Sequence, residues 1–271
     1  MISHLLLVLG VAVLSMALRS FQNRLVFRLG TYGLVATSFL AGWLLGGSVW
    51  LGGALVASWL FLPWLEILTR IRHLRLPIDR TLHQRTPPNR STFPGFAEMT
   101  EEIEILGFEH VEDTGWHYGE NRQFYRVWNE EARRTQACLC LAEQQDFAFF
   151  YFTLTSRTRD GRIFMTWNYP FSYGLKLPPD VKVQRFPGAG PFADMLATHE
   201  KFLANAGASA TLANPAPEEI ILTMQKEMRE QITHNINLGL LERDGEKLIR
   251  YTKRGMVFLW MQFLRDFVRF S

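Results

Sequence analysis

The chain has 271 residues, enough for one sizeable domain with an appendage or for two small domains. Its net charge of +3, with 48 % hydrophobic and 13 % aromatic residues, resembles an ordinary globular protein. Residues 1–90 contain nine arginines and no lysine against Glu66 and Asp79, whereas the remainder carries 20 basic and 24 acidic side chains. Because the basic surplus lies in the N-terminal third, the pI of about 8.9 is no argument for a nucleic-acid-binding domain.

The first predicted element is an uncharged apolar stretch from Leu5 to Leu18, followed by Arg19. Its composition predicts a membrane helix over about residues 4–19. A cleaved secretory signal is the alternative, since Ser15 and Ala17 have the small-residue spacing of a cleavage site. The stretch lacks a basic segment ahead of its apolar core, so we favour the membrane helix.

The second apolar segment runs from Leu29 to Leu65, and its 37 residues include no Asp, Glu, Lys, Arg or His. One membrane crossing takes about 20 residues, so this run holds almost two. We predict helices over about residues 29–46 and 49–65, joined at Gly46-Gly47-Ser48, where glycine supplies the positive φ that ends a helix. A turn at Gly52-Gly53 is the alternative, and it requires the second helix to continue past Pro63.

Arginines flank this hairpin on both sides and decide its orientation. They precede it at Arg19, Arg24 and Arg28, and they follow it at Arg70, Arg72, Arg75 and Arg80. The positive-inside rule places both basic segments in the cytoplasm. We therefore predict a multi-pass protein of the inner cell membrane with its N-terminus outside and residue 66 onward in the cytoplasm.

Two kinds of partner follow from this N-terminal part. Small residues recur four apart in the hairpin, which predicts close packing within the hairpin or, alternatively, against a second copy or a protein partner. These pairs are Gly42 and Gly46, Ser48 and Gly52, Gly53 and Ala57, and Ala54 and Ser58. The basic linker, residues 67–95, is expected to contact anionic headgroups of the bilayer, at about 1 kcal/mol for each arginine. No ionisable residue lies inside the hairpin, which disfavours a transporter or channel.

A cytosolic α+β domain is predicted over residues 96–210. It begins with an amphipathic helix from Phe96 to Leu106 that Gly107 ends. An antiparallel meander follows, with a hairpin turn at Asp160-Gly161 and a covering helix after Pro191. The predicted strands are Gln123 to Asn129, Thr135 to Ala142, Phe147 to Ser156 and Arg162 to Tyr169, with a further short strand at Val181 to Phe186.

Two strands of this meander have distinctive patterns. Residues 147–152, FAFFYF, are apolar on both alternating faces, which predicts a central strand covered on both sides. Cys138 and Cys140 alternate on their strand, so both thiols are expected on one face as small core residues, with metal binding requiring distant partners. A reducing compartment suits them.

Residues 216–271 are predicted to form a helix from Glu218 to Asn237, a hairpin around Asp244-Gly245 and an amphipathic helix. The helix followed by a charged hairpin resembles the end of a winged-helix domain, which implies a membrane-tethered regulator that binds DNA. Only one helix directly precedes the hairpin, where a winged helix has three. Nine basic and eight acidic side chains in this segment also make nucleic acid an unlikely partner.

The closing segment, Met256 to Phe270, has a narrow polar stripe and a broad apolar face. At about 15 residues with charges it is short for a crossing. It either packs on the domain or lies flat in the bilayer interface, where Trp260, Phe263 and Phe267 would contact the membrane surface.

The sequence contains no assembled catalytic, cofactor or metal motif. His199 and Glu200 lack the second histidine of an HExxH motif because position 203 is Leu, and His199 lies on an apolar helix face. His110, Asp113 and His117 form a loose cluster without metal spacing. No GxSxG, P-loop or GxGxxG motif is present. For an enzyme, His199, His117 and Asp113 are the first residues to inspect.

These patterns predict a membrane-anchored α+β protein: three N-terminal transmembrane helices, a cytosolic meander packed by helices, and a C-terminal helix-hairpin-helix segment. We expect the cytosolic domain to be a non-catalytic binding, scaffold or sensor module at the membrane surface. The alternatives are the DNA-binding regulator and a membrane-anchored enzyme of unknown reaction.

Overall fold

The computed structural model describes residues 2–21, 23–87, 93, 95–144, 147–186 and 190–270. The chain forms two compact units. The helical unit extends to Leu74 and also contains Ser172–Gly174 and the chain from Tyr251 onward. The sheet unit comprises Arg75–Phe171 and Leu175–Arg250. Over the described residues the fold is mixed α+β, with seven α-helices and a mainly antiparallel large sheet.

The helical unit begins with three apolar helices: α1 (Ile2–Arg19), α2 (Arg24–Leu40) and α3 (Val49–Thr69). With the turns that extend them, the three candidate spans are 18, 21 and 25 residues long, which is long and apolar enough to cross a membrane. The side chain of Asn23 accepts a hydrogen bond from the backbone N–H of Leu25 and so caps the start of α2.

The turn between α2 and α3 lies at Gly46-Gly47-Ser48, as predicted. A π-helical turn, Ala41–Leu45, continues α2, and α3 begins at Val49. Gly47 has a φ of +68°, a left-handed conformation that glycine adopts without strain. α3 then continues through Pro63 to Thr69, four residues beyond the predicted end.

Small residues let the first three helices pack closely. A Cβ added to Gly42 would lie 2.5 Å from the Cα of Gly52, and one added to Gly52 would lie 2.6 Å from the carbonyl oxygen of Phe39. On the other side of α2, a Cβ on Gly33 would collide with the hydroxyl of the buried Ser15 of α1. These glycines therefore serve packing between α1, α2 and α3.

The large sheet of the sheet unit has the strand order β2-β3-β4-β5-β6-β7-β8, with β9 pairing at one end of β6. All neighbours are antiparallel except β7 and β8, which are parallel. The strands are β2 (His83–Gln84), β3 (Glu109–Tyr118), β4 (Asn121–Glu130), β5 (Thr135–Gln144), β6 (Phe147–Thr158), β7 (Ile163–Trp167), β8 (Val181–Arg185) and β9 (Leu212–Ala213). β4 to β7 reproduce the four predicted strands of the meander, and Gly161, with a φ of +84°, makes the predicted turn before β7.

Helices cover both faces of this sheet. On one face, α4 (Phe96–Ile105) and α5 (Phe192–Asn205) bury Trp128, Leu139 and Leu154. On the other, α6 (Ile220–Asn237) packs Ile220 against a cluster that includes Val127, Cys138 and Cys140. Phe150 and Phe152 of β6 contact the first cluster and Tyr151 the second, so the prediction of a central strand covered on both sides is confirmed.

A second, three-stranded sheet has the order β1-β11-β10, and all of its residues except Tyr251 lie in the sheet unit. The hairpin of β10 (Leu241–Asp244) and β11 (Leu248–Tyr251) turns at Gly245, as predicted. β1 (Leu76–Pro77) pairs with β11, so part of the stretch between α3 and α4 is a sheet strand. The last helix, α7 (Lys253–Phe270), lies in the helical unit.

Candidate functional site

α7 packs on α3 within the helical unit, near the middle of the third candidate span, Val49–His73. The indole Nε1 of Trp260 donates a 2.7 Å hydrogen bond to the carbonyl oxygen of Leu60, and its ring centroid lies 6.1 Å from that of Trp64. Farther along α7, the rings of Phe267 and Trp59 are 5.9 Å apart. Because later residues of α7 meet earlier residues of α3, the two helices are antiparallel.

The hydrogen bond of Trp260 is made where α3 contains Pro63. Proline has no backbone N–H, and its ring crowds the carbonyl four residues earlier, which distorts the preceding helical turn. Leu60 belongs to that turn, and its carbonyl oxygen accepts the indole N–H. Trp59, in the same turn, donates its own indole N–H to the hydroxyl of Ser38 in α2 at 3.0 Å. Two tryptophans thus connect α3 to its neighbours.

The segment Ser172–Gly174 is attached to α7 by side-chain hydrogen bonds. The carboxylate of Asp266 accepts from the backbone N–H of Ser172 at 2.8 and 2.9 Å and from its hydroxyl at 2.6 Å. Arg269 lies 3.6 Å from the same carboxylate. The Tyr251 hydroxyl donates to the carbonyl of Gly174 at 3.2 Å. The side chain of Asp266 is 14 % exposed, and its carboxylate therefore has a structural role in holding this segment on α7.

The four arginines predicted to contact the membrane surface divide between the two units. Arg70, which follows α3, and Arg72 are exposed in the helical unit, and Arg70 lies 3.1 Å from Glu66. Arg75 pairs with Asp244 in the sheet unit. The guanidinium of Arg80 lies 4.9 Å from the centroid of the Trp116 ring. Contact of these arginines with headgroups stays a prediction.

The three aromatic residues predicted for the same role all lie on α7. Trp260 and Phe267 have the contacts with α3 described above, and Phe263 is half-buried. Phe267 keeps 40 % of its surface exposed, so its contact with α3 leaves part of the ring open. The structure brings these three residues into one unit with Arg70 and Arg72.

His199 is buried in the sheet unit and hydrogen-bonded at both ring nitrogens. Its Nε2 lies 3.0 Å from the Ser156 hydroxyl and its Nδ1 lies 2.9 Å from the Thr166 hydroxyl. Ser156 in turn lies 2.9 Å from the hydroxyl of Thr135. Burial lowers the pKa of His199 to about 4, so the imidazole is neutral near pH 7. A neutral histidine beside a serine could act as a base, but Ser156 is only 1 % exposed.

His117 and Asp113 do not join His199. His117 Nδ1 lies 2.5 Å from a guanidinium nitrogen of Arg85. The carboxylate of Asp113 accepts bidentate hydrogen bonds from the guanidinium of Arg126. His110 lies 3.1 Å from Asp113. In the part of the chain that the structure describes, no group of three His, Cys, Asp or Glu side chains has metal-binding geometry.

Cys138 and Cys140 are free and buried, with their sulfur atoms 3.5 Å apart on one face of β5, as alternation predicts. The hydrogen bond with Cys140 and burial raise the pKa of Cys138. A buried thiol with a raised pKa is a poor nucleophile. Both cysteines therefore serve as small core residues beneath α6.

A cleft of about 400 Å³ opens on the sheet unit near the β4–β5 turn. Its lining combines charged, hydroxyl and apolar groups: Ala132, Arg133, Arg134, Thr135, Glu200, Leu203, Ser209 and Leu212. Arg134 has a φ of +51°, which is uncommon outside glycine and typical of a constrained turn. Its guanidinium donates to the carbonyl of Leu212 at 2.6 Å, which fixes one wall of the cleft.

Sequence reasoning missed the contact between α7 and α3 and the cleft. The signal for the first was present: Pro63 interrupts α3 among three tryptophans, and the amphipathic α7 carries another. The cleft is formed by residues that are far apart in the chain, so no local sequence pattern predicts it. Comparisons with protein-family models, curated proteins and solved structures find no match.

Proposed function

We propose that this protein is a multi-pass membrane protein whose sheet unit is a non-catalytic binding or scaffold module on the cytoplasmic surface. One observation carries the proposal: three consecutive helices are long and apolar enough to cross a membrane, and the same chain continues into a sheet with helices on both faces. The charge pattern supports the orientation, because basic residues follow α1 and α3 and none lies at the turn between α2 and α3.

The cleft beside Arg133 and Ser209 is the place in the sheet unit where we expect a ligand or partner to bind. It combines charged and hydroxyl groups with the apolar Leu203 and Leu212, as specific binding sites do. The ion pairs of Arg133 with Glu130 and Glu200, at 3.6 and 3.2 Å, position its guanidinium at the rim. Because two carboxylates already neutralise this guanidinium, neutral carbonyl or hydroxyl groups on the ligand would suit the cleft.

The burial of Ser156 and His199 favours binding over catalysis. Among the described residues, Ser156 and His199 combine catalytic residue types, but both are buried on the α5 side of the sheet and hydrogen-bonded to Thr135 and Thr166. The Ser156 hydroxyl could therefore reach a substrate only if the residues that bury it moved apart. A DNA-binding role has no supporting observation, since the segment around the β10–β11 hairpin is balanced in charge.

Reporter fusions test the membrane part of the proposal. Alkaline phosphatase and a fluorescent protein are fused separately after residue 95. We expect fluorescence and no phosphatase activity, because phosphatase folds only outside the cytoplasm. Phosphatase activity in this fusion would contradict the proposed orientation.

A photoreactive amino acid tests the binding part. It is introduced at Ser209 in the cleft and, as the matched control, at the exposed Lys226 on α6, in the full chain in its native membrane. We expect an adduct of defined mass from Ser209 alone, and Arg133→Ala should reduce it. Equal labelling from both positions, or no adduct from Ser209, would overturn the assignment of the cleft.

A further inference from the structure

The exposed side of α7 combines arginines with apolar side chains, although α7 packs beside a candidate membrane span. Arg254, Val257, Met261 and Arg265 follow one another at helical spacing and are all exposed. Val257 and Met261 expose 42 % and 47 % of their surface. We call these four residues the α7 stripe. A stripe of this composition is typical of helices that lie at the boundary between lipid and water.

The contacts with α3 place this stripe along the apolar length of the third span. Trp59, Leu60 and Trp64 all belong to the uncharged run that ends at Leu65. Phe267 packs on Trp59, ten residues before Thr69, which corresponds to about 15 Å along the helix axis. If α3 crosses the bilayer, α7 therefore enters the cytosolic leaflet beside α3. In that position α7 does not lie flat on the bilayer surface and does not remain in water.

Arg265 then lies within that leaflet. A positive charge at this depth is costly unless an anion accompanies it or the bilayer thins locally. Asp266, the neighbouring carboxylate, is occupied by Ser172 and Arg269, so Ser172–Gly174 lie at the same depth as this part of α7. Among the residues that the structure describes, no carboxylate forms an ion pair with Arg265. Charge complementarity thus calls for an anion from beyond the described part of the chain.

We propose that the α7 stripe binds an anionic phospholipid of the cytosolic leaflet, with its phosphate drawn down to Arg265 and its acyl chains along Met261 and Val257. Apolar side chains are also exposed on α3, where Phe61 and Leu65 expose 59 % and 64 % of their surface. Arg254, nearer the start of α7, meets headgroups at the ordinary membrane surface. This inference rests on the proposed membrane crossing of α3.

Spin labels in the full chain, reconstituted in lipid nanodiscs, measure the depth of the stripe. Single cysteines are placed by M261C on α7, L62C on α3 and K226C on α6, in a background with Cys138→Ala and Cys140→Ala. Leu62 matches Met261 in exposure, at 50 %, and the Lys226 side chain is 76 % exposed. We expect oxygen to relax the labels at 261 and 62 more than a water-soluble nickel chelate does, and the reverse at 226.

The possible outcomes separate this inference from the proposed function. If position 261 behaves like 226 while 62 behaves as lipid-exposed, α7 lies in water and the inference fails, but the crossing of α3 stands. If position 62 also behaves like 226, the membrane crossing fails as well. Spin–spin broadening at 261 that grows with protein concentration would assign the stripe to a second copy and would also overturn the inference.

The role of Arg265 is tested by native mass spectrometry of the detergent-solubilised chain titrated with phosphatidylglycerol or phosphatidylcholine. We expect retention of phosphatidylglycerol to fall about fivefold in R265L, the loss of one arginine–headgroup contact. R265K keeps the charge and should keep most of the retention, and K226L should be unchanged. Equal retention in R265L and the unsubstituted chain, or no preference for phosphatidylglycerol, would contradict the proposal.

Discussion

The indole of Trp260 in α7 donates its N–H to the backbone carbonyl of Leu60 in α3, two hundred residues earlier in the chain. This bond, with the ring contacts of Trp64 and Phe267, makes the final helix part of the unit formed by the N-terminal helices. The chain leaves the helical unit after Leu74, re-enters it at Ser172–Gly174 and returns to it finally at Tyr251.

The tryptophan bond predicts how firmly α7 is held. Trp260→Phe keeps an aromatic ring near Trp64 but removes the donor to Leu60, a loss of about 1 kcal/mol. We expect amide hydrogen exchange in α7 to accelerate about fivefold in the full chain in nanodiscs. Trp50→Phe is the matched control, because Trp50 is 90 % exposed, and it should leave exchange in α7 unchanged. Equal effects of the two substitutions would argue against this contact.

The hairpin of α2 and α3 predicts opposite results for two adjacent glycines. A Cβ on Gly52 would lie 2.6 Å from the carbonyl oxygen of Phe39, whereas one on Gly53 would meet nothing within 4 Å. Gly52→Val should force the helices apart and lower the free energy of unfolding by about 2 kcal/mol or more. Gly53→Val changes helix propensity equally and should fold normally. Thermal unfolding of both variants in detergent compares them directly.

A different result at Gly53 would be informative about assembly. If Gly53→Val folds normally but changes the oligomeric state in chemical cross-linking, the small residues on that side of α3 form a seam between copies. The predicted packing inside the hairpin would then be confined to the side of α3 that carries Gly52. Normal folding with an unchanged oligomeric state would remove the homo-oligomer alternative for this face.

The ion pair between Arg157 of β6 and Glu227 of α6 should contribute more than an exposed pair. Its side chains are 13 % and 21 % exposed, and Arg157 also donates to Gln136. Glu227→Ala leaves a largely desolvated guanidinium, so we expect about 2–3 kcal/mol of destabilisation. Glu242→Ala, which breaks the exposed pair with Arg250, should cost less than about 1 kcal/mol. Chemical denaturation that ranks the two variants in reverse would contradict this reading.

His199 predicts a specific dependence of stability on pH. Its pKa is about 4 in the folded protein and near 6.5 when unfolded, so the unfolded state binds more protons between these values. The contribution is fully present above about pH 6.5 and is lost as the pH falls towards 4, by about 3 kcal/mol. His199→Gln keeps hydrogen-bonding groups near Ser156 and Thr166 but cannot titrate. Its stability should fall less steeply over this window, as thermal melts would measure.

Local patterns predicted the elements whose burial has a clear period or whose turn needs a special backbone. Gly47 and Gly161 have the positive φ expected of their turns, and β6 is central because both its faces are apolar. β3 was not predicted, because its residues mix charged, aromatic and glycine positions and its order comes from pairing with β4. The apolar face of α7 was evident, but hydrophobic period does not reveal what covers it. Only the three-dimensional structure shows that α7 packs on α3.

The proposed membrane orientation is tested most directly by measuring on which side of the membrane each unit is exposed. Single cysteines V49C, beside the α2–α3 turn, and K226C, on the sheet unit, are treated in intact cells with a membrane-impermeant maleimide. Both positions are exposed, so labelling reports access from outside. The account predicts labelling of V49C in intact cells and of K226C only after the cells are permeabilised. Labelling of K226C in intact cells would contradict it.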